Sequence, residues 1–135
     1  LKALNLNSTD EVITVANTFY ATVGAIVAVG AKPVLIDVDD RFQMDADCIE
    51  EAITPHTKVI MPVDIGGLPC DYNELYEIVN DPEIKKLYSP KNDLEKQLGR
   101  IAIISDSAHS IGATYHRKKA GSLADISVFS FLDKT

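Results

Sequence analysis

The sequence is poor in the features that usually announce a function. It has two cysteines, Cys48 and Cys70, in neither a zinc nor a redox spacing, so both are expected as reduced, packed thiols and no metal site is expected. Basic residues are in deficit, thirteen against twenty acidic, which leaves a net charge of −7. That balance excludes a broad nucleic-acid or anionic-membrane surface, because both need clustered Lys and Arg, but it leaves room for a local anion pocket. No apolar run approaches the roughly 18 residues that cross a bilayer, and no basic-then-apolar leader opens the chain. There is no Gly-x-Gly-x-x-Gly, no Walker loop and no nucleophile elbow, so dinucleotide, nucleoside triphosphate and hydrolase readings lack their motifs. Internal repeats and low-complexity tracts are missing too.

What is present is an ordinary globular composition, 46% hydrophobic and 24% charged over 135 residues, with room for one domain and a core. Short apolar β-branched runs predict strands at Val12–Val15, Pro33–Val38, Lys58–Val63, Ile101–Ser105 and Ile126–Phe131. Helices are predicted from Phe19 to Val29, capped by Thr18 or Asn17 and closed by Gly30, after Asp45, and over Tyr72–Asn80. The polar stretch Asp81–Arg100 reads as an insertion, partly helical over Asp93–Leu98. Strands apolar on both faces, alternating with helices, imply an α/β fold: a three-layer αβα arrangement around a mainly parallel sheet. Both chain ends fall inside elements, and a piece of a longer protein is expected.

In such sheets ligands bind where loops leave the carboxyl ends of the strands, which ranks the polar residues. Ile103-Ile-Ser-Asp-Ser-Ala-His109 delivers Asp106 at a strand exit and His109 three residues later. Asp106 there is either a helix N-cap or a carboxylate able to pair with a protonated ring nitrogen, as pyridoxal chemistry requires. Phe19, at another exit, either packs on the sheet or lies flat against a planar ligand. Ser130 can bond a phosphate oxygen. Lys134 is either a solvated tail residue or a lysine able to form a Schiff base. Asp64, ending the third strand before Gly66-Gly67, is expected at the same mouth. Asp37-Val-Asp39-Asp40 is a solvated acidic loop or, in the competing reading, the Asp-x-Asp of a magnesium-dependent phosphohydrolase.

Taken together the segments resemble the DegT-type sugar aminotransferases of the fold-type I pyridoxal-phosphate group. The landmarks, in order, are Asp10–Thr14, Thr18-Phe-Tyr-Ala-Thr22, Val29–Val34, Ile36-Asp-Val38, Ala52–Lys58, Asp106-Ser-Ala-His109, Gly121–Asp125 and Phe129-Ser-Phe131, so that residues 1–135 correspond to part of the large domain. The resemblance implies an aspartate-aminotransferase-like fold and transfer of an amino group, usually from glutamate, to a keto-sugar carried on a nucleotide. It also implies pyridoxal phosphate as cofactor, a homodimer and a cytoplasmic setting. It places the ring-stacking aromatic on Phe19, the pyridine-nitrogen carboxylate on Asp106, the residue near the cofactor's phenolic oxygen on His109 and a phosphate contact on Ser130. Lys134 is its candidate catalytic lysine, although it stands four residues after Ser130 where the family has five. Asp64 stands where many members have histidine. The helix that holds the cofactor phosphate and the small C-terminal domain are not within the sequence. The alternative is a truncated, inactive remnant that acts at most as a binding or structural module.

Overall fold

The computed structural model describes residues 1–131. Five strands form one parallel sheet: β1 (Glu11–Val15), β2 (Lys32–Ile36), β3 (Thr57–Met61), β4 (Ala102–Asp106) and, after a two-stranded hairpin, β7 (Ile126–Val128). The spatial order is β2-β1-β3-β4-β7, and every neighbouring pair runs parallel. The hairpin pairs β5 (Thr114–Tyr115) with β6 (Lys118–Lys119). Among the described residues, five α-helices accompany the sheet: α1 (Tyr20–Ala28), α2 (Ala46–Ala52), α3 (Tyr72–Asn80), α4 (Pro82–Leu87) and α5 (Asp93–Leu98).

The two faces of the sheet carry different cores, because successive strand residues point to opposite sides. Ile13, Val15, Ile60 and Ile103 pack with Ile49 of α2 and with Leu75, Ile78 and Val79 of α3. Val12, Val59, Met61, Ala102 and Ile104 face the other way, toward Ile26 of α1 and toward Leu4 and Leu6. All residues of β1 and β3 are buried. Each such Val or Ile contributes on the order of 2 kcal/mol of transfer free energy, which makes these central strands the anchor of the domain. Helices on both faces of a parallel sheet are the three-layer arrangement expected from the sequence.

Several local expectations need correction. Neither Thr18 nor Asn17 caps α1: the N-cap is Phe19, and no side chain fills that role. The Thr18 hydroxyl instead meets Thr22 Oγ1 at 2.8 Å. Asp45 does cap α2, accepting from the Asp47 and Cys48 amides. The last strand stops at Val128, short of Phe131. The polar stretch 81–100 carries two helices and is fastened to the core. Lys58 and Glu95, both buried, form an ion pair at 3.6 Å. Arg100 holds Asp125 through Nη1 and Nη2, at 2.9 and 2.7 Å, while the Ile103 amide donates to the same carboxylate at 2.8 Å.

Candidate active site

The chain enters α1 through Phe19, whose extended backbone turns the first helical residues toward the end of β4. Thr22, buried on that turn, donates its hydroxyl to Asp106 Oδ2 at 2.7 Å. The other oxygen, Oδ1, accepts the Ala108 amide at 3.3 Å. The backbone of Asp106 is fixed on both sides: its N–H donates to the Pro62 carbonyl at 2.8 Å, and its carbonyl accepts the Asp64 amide at 3.0 Å. Ser107 N–H donates to the Val128 carbonyl at 2.8 Å, so three strand exits are stitched together around one carboxylate.

A cavity of about 490 Å³ opens beside it, walled by Ala21, Thr22 and Ala25 of α1, by Ile104 and Asp106 of β4, and by Ser130. The structure thus brings Asp106 and Ser130 to one hollow and adds Thr22. Phe19 and His109 stand outside its lining, Phe19 three residues before Thr22 and His109 three after Asp106. Phe19 is 58% exposed and its ring meets Tyr20 at 4.3 Å between centroids, which removes the reading in which it packs on the sheet. The exposed His109 accepts the Gly66 amide on Nδ1 at 3.3 Å, which leaves Nε2 to carry the proton of the neutral imidazole. Asp106 caps a turn and no helix follows it, so the helix N-cap alternative does not hold. Lys134 lies outside the described residues.

Asp64 is not at the mouth. It is fully buried and receives the Cys70 amide and the Tyr72 hydroxyl on Oδ1, and the Ser107 and Ser110 hydroxyls on Oδ2. Burial first, and then the charge of Asp64, push the Cys70 thiol up to about 12 and raise the Tyr72 phenol well above its usual value. Cys70 is therefore a packed thiol that donates to Gln43 Oε1 at 2.7 Å and not a nucleophile. In the Asp-x-Asp segment, Asp39 accepts the amides of Arg41 and Gln43 and pairs with the Arg41 guanidinium at 2.7 Å. That is a self-satisfied turn, and among the described residues no group of His, Cys, Asp and Glu is placed to hold a metal. The phosphohydrolase reading has no geometry behind it.

Sequence reasoning assigned Thr22 no role. Its signal was a hydroxyl at the buried position of an otherwise apolar helix, four residues after another threonine.

A parallel sheet flanked by helices, with a carboxylate and a cavity at the carboxyl ends of its strands, defines an open α/β domain, the class in which ligands bind at that edge. The chain belongs to the DegT/DnrJ/EryC1/StrS aminotransferase family, whose sequence model matches residues 1–87 and 92–134. Only residues 88–91 interrupt that match, a narrower gap than the stretch 81–100 read as an insertion. GDP-perosamine synthase of Caulobacter vibrioides is 37% identical over 132 residues, which cover 97% of this chain and 31% of that protein. UDP-N-acetyl-3-dehydro-alpha-D-glucosamine 3-aminotransferase of Acidithiobacillus ferrooxidans is 42% identical over 132 residues, 97% of this chain and 31% of that protein. Among solved structures, a Streptococcus pneumoniae protein assigned as a sugar aminotransferase superposes with a TM-score of 0.94 at 42% identity, covering 98% of this chain and 33% of its own. That protein is known in apo-, PMP- and PLP-forms, so pyridoxal phosphate is a cofactor of the family. The chain spans about a third of the length of the relatives it matches.

Proposed function

We propose that the protein containing this chain transfers an amino group, from glutamate, to a keto-sugar carried on a nucleotide, with pyridoxal phosphate as cofactor. The observation that carries the reading is the state of Asp106. It is a half-buried carboxylate at a strand exit, beside a cavity of a size typical for small-ligand sites, and its oxygens meet one hydroxyl and one amide. Among the described residues no Lys, Arg or His forms an ion pair with it. A protonated ring nitrogen would supply a counter-charge there, and the residues present fit the group. The nucleotide-sugar part of the reading rests on the names of the two relatives above.

When bound, pyridoxal phosphate supplies an electron sink that lets a proton leave the carbon bearing the amino group. Asp106 would keep the ring nitrogen protonated, with Thr22 fixing which carboxylate oxygen faces it. Ser130 would bond the phosphate, Phe19 would lie against the ring, and His109 would present Nε2 to the phenolic oxygen. Lys134 is the candidate for the covalent attachment and for moving the proton. The proposal includes a homodimer, supported by the apolar helix α1, which leaves Tyr20 and Val27 exposed. It includes a cytoplasmic setting, supported by two free thiols. Among the described residues, no helix is long and apolar enough to cross a membrane.

The test is cofactor binding by the intact protein. Pyridoxal phosphate should give a visible absorbance band, and Asp106→Asn should weaken binding by about 2–4 kcal/mol, roughly 30- to 1000-fold in Kd. Binding and turnover unchanged by that substitution would sink the reading. An unchanged band in Lys134→Ala would remove Lys134 from its role.

A further inference from the structure

We propose that Asp64 is a positioning residue for the turn that carries Asp106 and His109, an inference that rests on the functional reading of that turn. Asp64 has no access to solvent and, among the described residues, no cationic partner. A charge in that position is tolerated only when its lone pairs are filled by donors. Four fill them: the Cys70 amide at 3.1 Å, the Tyr72 hydroxyl at 2.9 Å, and the hydroxyls of Ser107 and Ser110 at 3.2 and 2.7 Å. The last two come from the very turn in question. Ser107 follows Asp106 directly and Ser110 follows His109 directly, so the carboxylate grips the turn at both ends.

Tyr72, Ser107 and Ser110 set their hydroxyls against Asp64, and Ser105 Oγ, with one proton to give, lies 2.7 Å from the Tyr72 oxygen and 2.5 Å from Ser107 Oγ. Each carboxylate oxygen is the meeting point of two of these groups, Oδ1 of the Cys70 amide and the Tyr72 hydroxyl, Oδ2 of the Ser107 and Ser110 hydroxyls. The backbone reinforces the same clamp. Asp64 N–H donates to the Asp106 carbonyl, and the Gly66 amide donates to the His109 ring. Gly67, at φ +85°, lets the chain pass so close that a Cβ there would sit 3.2 Å from the His109 carbonyl oxygen. One buried carboxylate therefore sets the relative placement of the two side chains assigned to the ring nitrogen and the phenolic oxygen.

Asp64→Asn keeps the shape and puts an N–H₂ where two donors already point. In the intact protein it should displace the turn 106–110 by about 1 Å, enough to cost roughly 10- to 100-fold in kcat, with the KM for the amino donor changed less than about threefold. The visible band of the bound cofactor should move its pH midpoint, a shift that loss of folded protein alone cannot produce. Should that variant fold poorly, Ser110→Ala, which removes one donor and keeps the carboxylate, should lower kcat by about 3- to 10-fold with the same spectral signature. A crystal structure of Asp64→Asn, or of Ser110→Ala, with the turn unmoved overturns the proposal whether or not cofactor is present. So does activity that falls only in proportion to the folded fraction. Wild-type protein that binds no pyridoxal phosphate defeats the functional reading instead, and a displaced turn would still be seen.

Discussion

Lys58→Met removes the cation from the buried pair and leaves Glu95 as a carboxylate cut off from water. The side chains of Lys58 and Glu95 are 1% and 5% exposed and their charges lie 3.6 Å apart. At an effective dielectric constant near 20, that separation gives about 5 kcal/mol of attraction before desolvation is counted. Methionine nearly reproduces the lysine stem, so the cavity term is small and the cost is that of the orphaned charge, about 3–5 kcal/mol. Losing the ammonium over the Tyr88 ring, now 4.8 Å from its centroid, adds a fraction of a kcal/mol. Glu95 still accepts the Lys91 amide at 2.8 Å and Asn92 Nδ2 at 2.9 Å, which holds the expected loss near the lower bound, about 3 kcal/mol. Urea unfolding of the intact protein followed by circular dichroism measures it, and the Tm should fall with it. Adding Glu95→Gln should recover more than half of the loss, because the carboxylate that Lys58 neutralised is then gone. A single variant within about 1 kcal/mol of wild type, or a double variant no better than the single, would refute the claim that this pair fastens residues 81–100 to the sheet.

Three further outcomes follow from the same geometry. Thr22→Val keeps the volume but deletes the hydroxyl that holds Asp106; cofactor Kd should rise about 5- to 10-fold, with folding stability changed by under about 1 kcal/mol, as read by cofactor titration beside urea unfolding. Cys70, buried and pushed up to about 12, should not react with a thiol reagent at about pH 8 in the native state, whereas half-buried Cys48 should; two reactive thiols before denaturation would contradict this. Burial alone would raise the Asp125 carboxyl, but the Arg100 fork and the Ile103 amide outweigh it and hold the folded value below the ordinary 3.8. Its contribution to stability is therefore present above that pH and is lost as pH falls through the folded value, so Asp125→Asn should flatten the acid limb of a stability–pH profile.

The strands were legible because a parallel sheet buried on both faces needs unbroken β-branched runs, and Val-Ile-Thr-Val and Ile-Ala-Ile-Ile carry that demand openly. The α2 cap and the bounds of α3 were legible for the same local reason: Asp45 and the spacing of Tyr72, Leu75, Ile78 and Val79 encode them without help from distant residues. Within residues 81–100 the helix Asp93–Leu98 was legible, but the polarity that suggested an insertion gave no sign of how the stretch is fastened to the core. Lys58 and Glu95 are buried only because each neutralises the other across 37 positions of sequence, and pairing at that distance leaves no periodic trace. The β5–β6 hairpin was missed because its turn holds His116 and Arg117 at positive φ, where glycine or asparagine would have been the signal. Of the candidate site, the strand-exit rule found Asp106, and the resemblance named Ser130, which shares its cavity. Thr22 and the burial of Asp64 depend on which face of α1 and of the β3 exit meets β4, which only the fold decides.

The cavity beside Asp106 owes its room to three methyl groups. Ala21, Ala25 and Ala28 recur at intervals of four and three along one flank of α1, and each ends a single carbon from the backbone, whereas Tyr20, Ile26 and Val27 beside them carry larger side chains. Alanine is also the strongest helix former, so the helix loses nothing by leaving this flank bare. A leucine at position 25 would suit the helix almost as well and leave the sheet and Asp106 where they are, yet its branches would occupy the hollow. What the helix would tolerate and what a guest molecule would tolerate thus part company along a single ridge, and the volume available to any guest is set there by what the side chains omit.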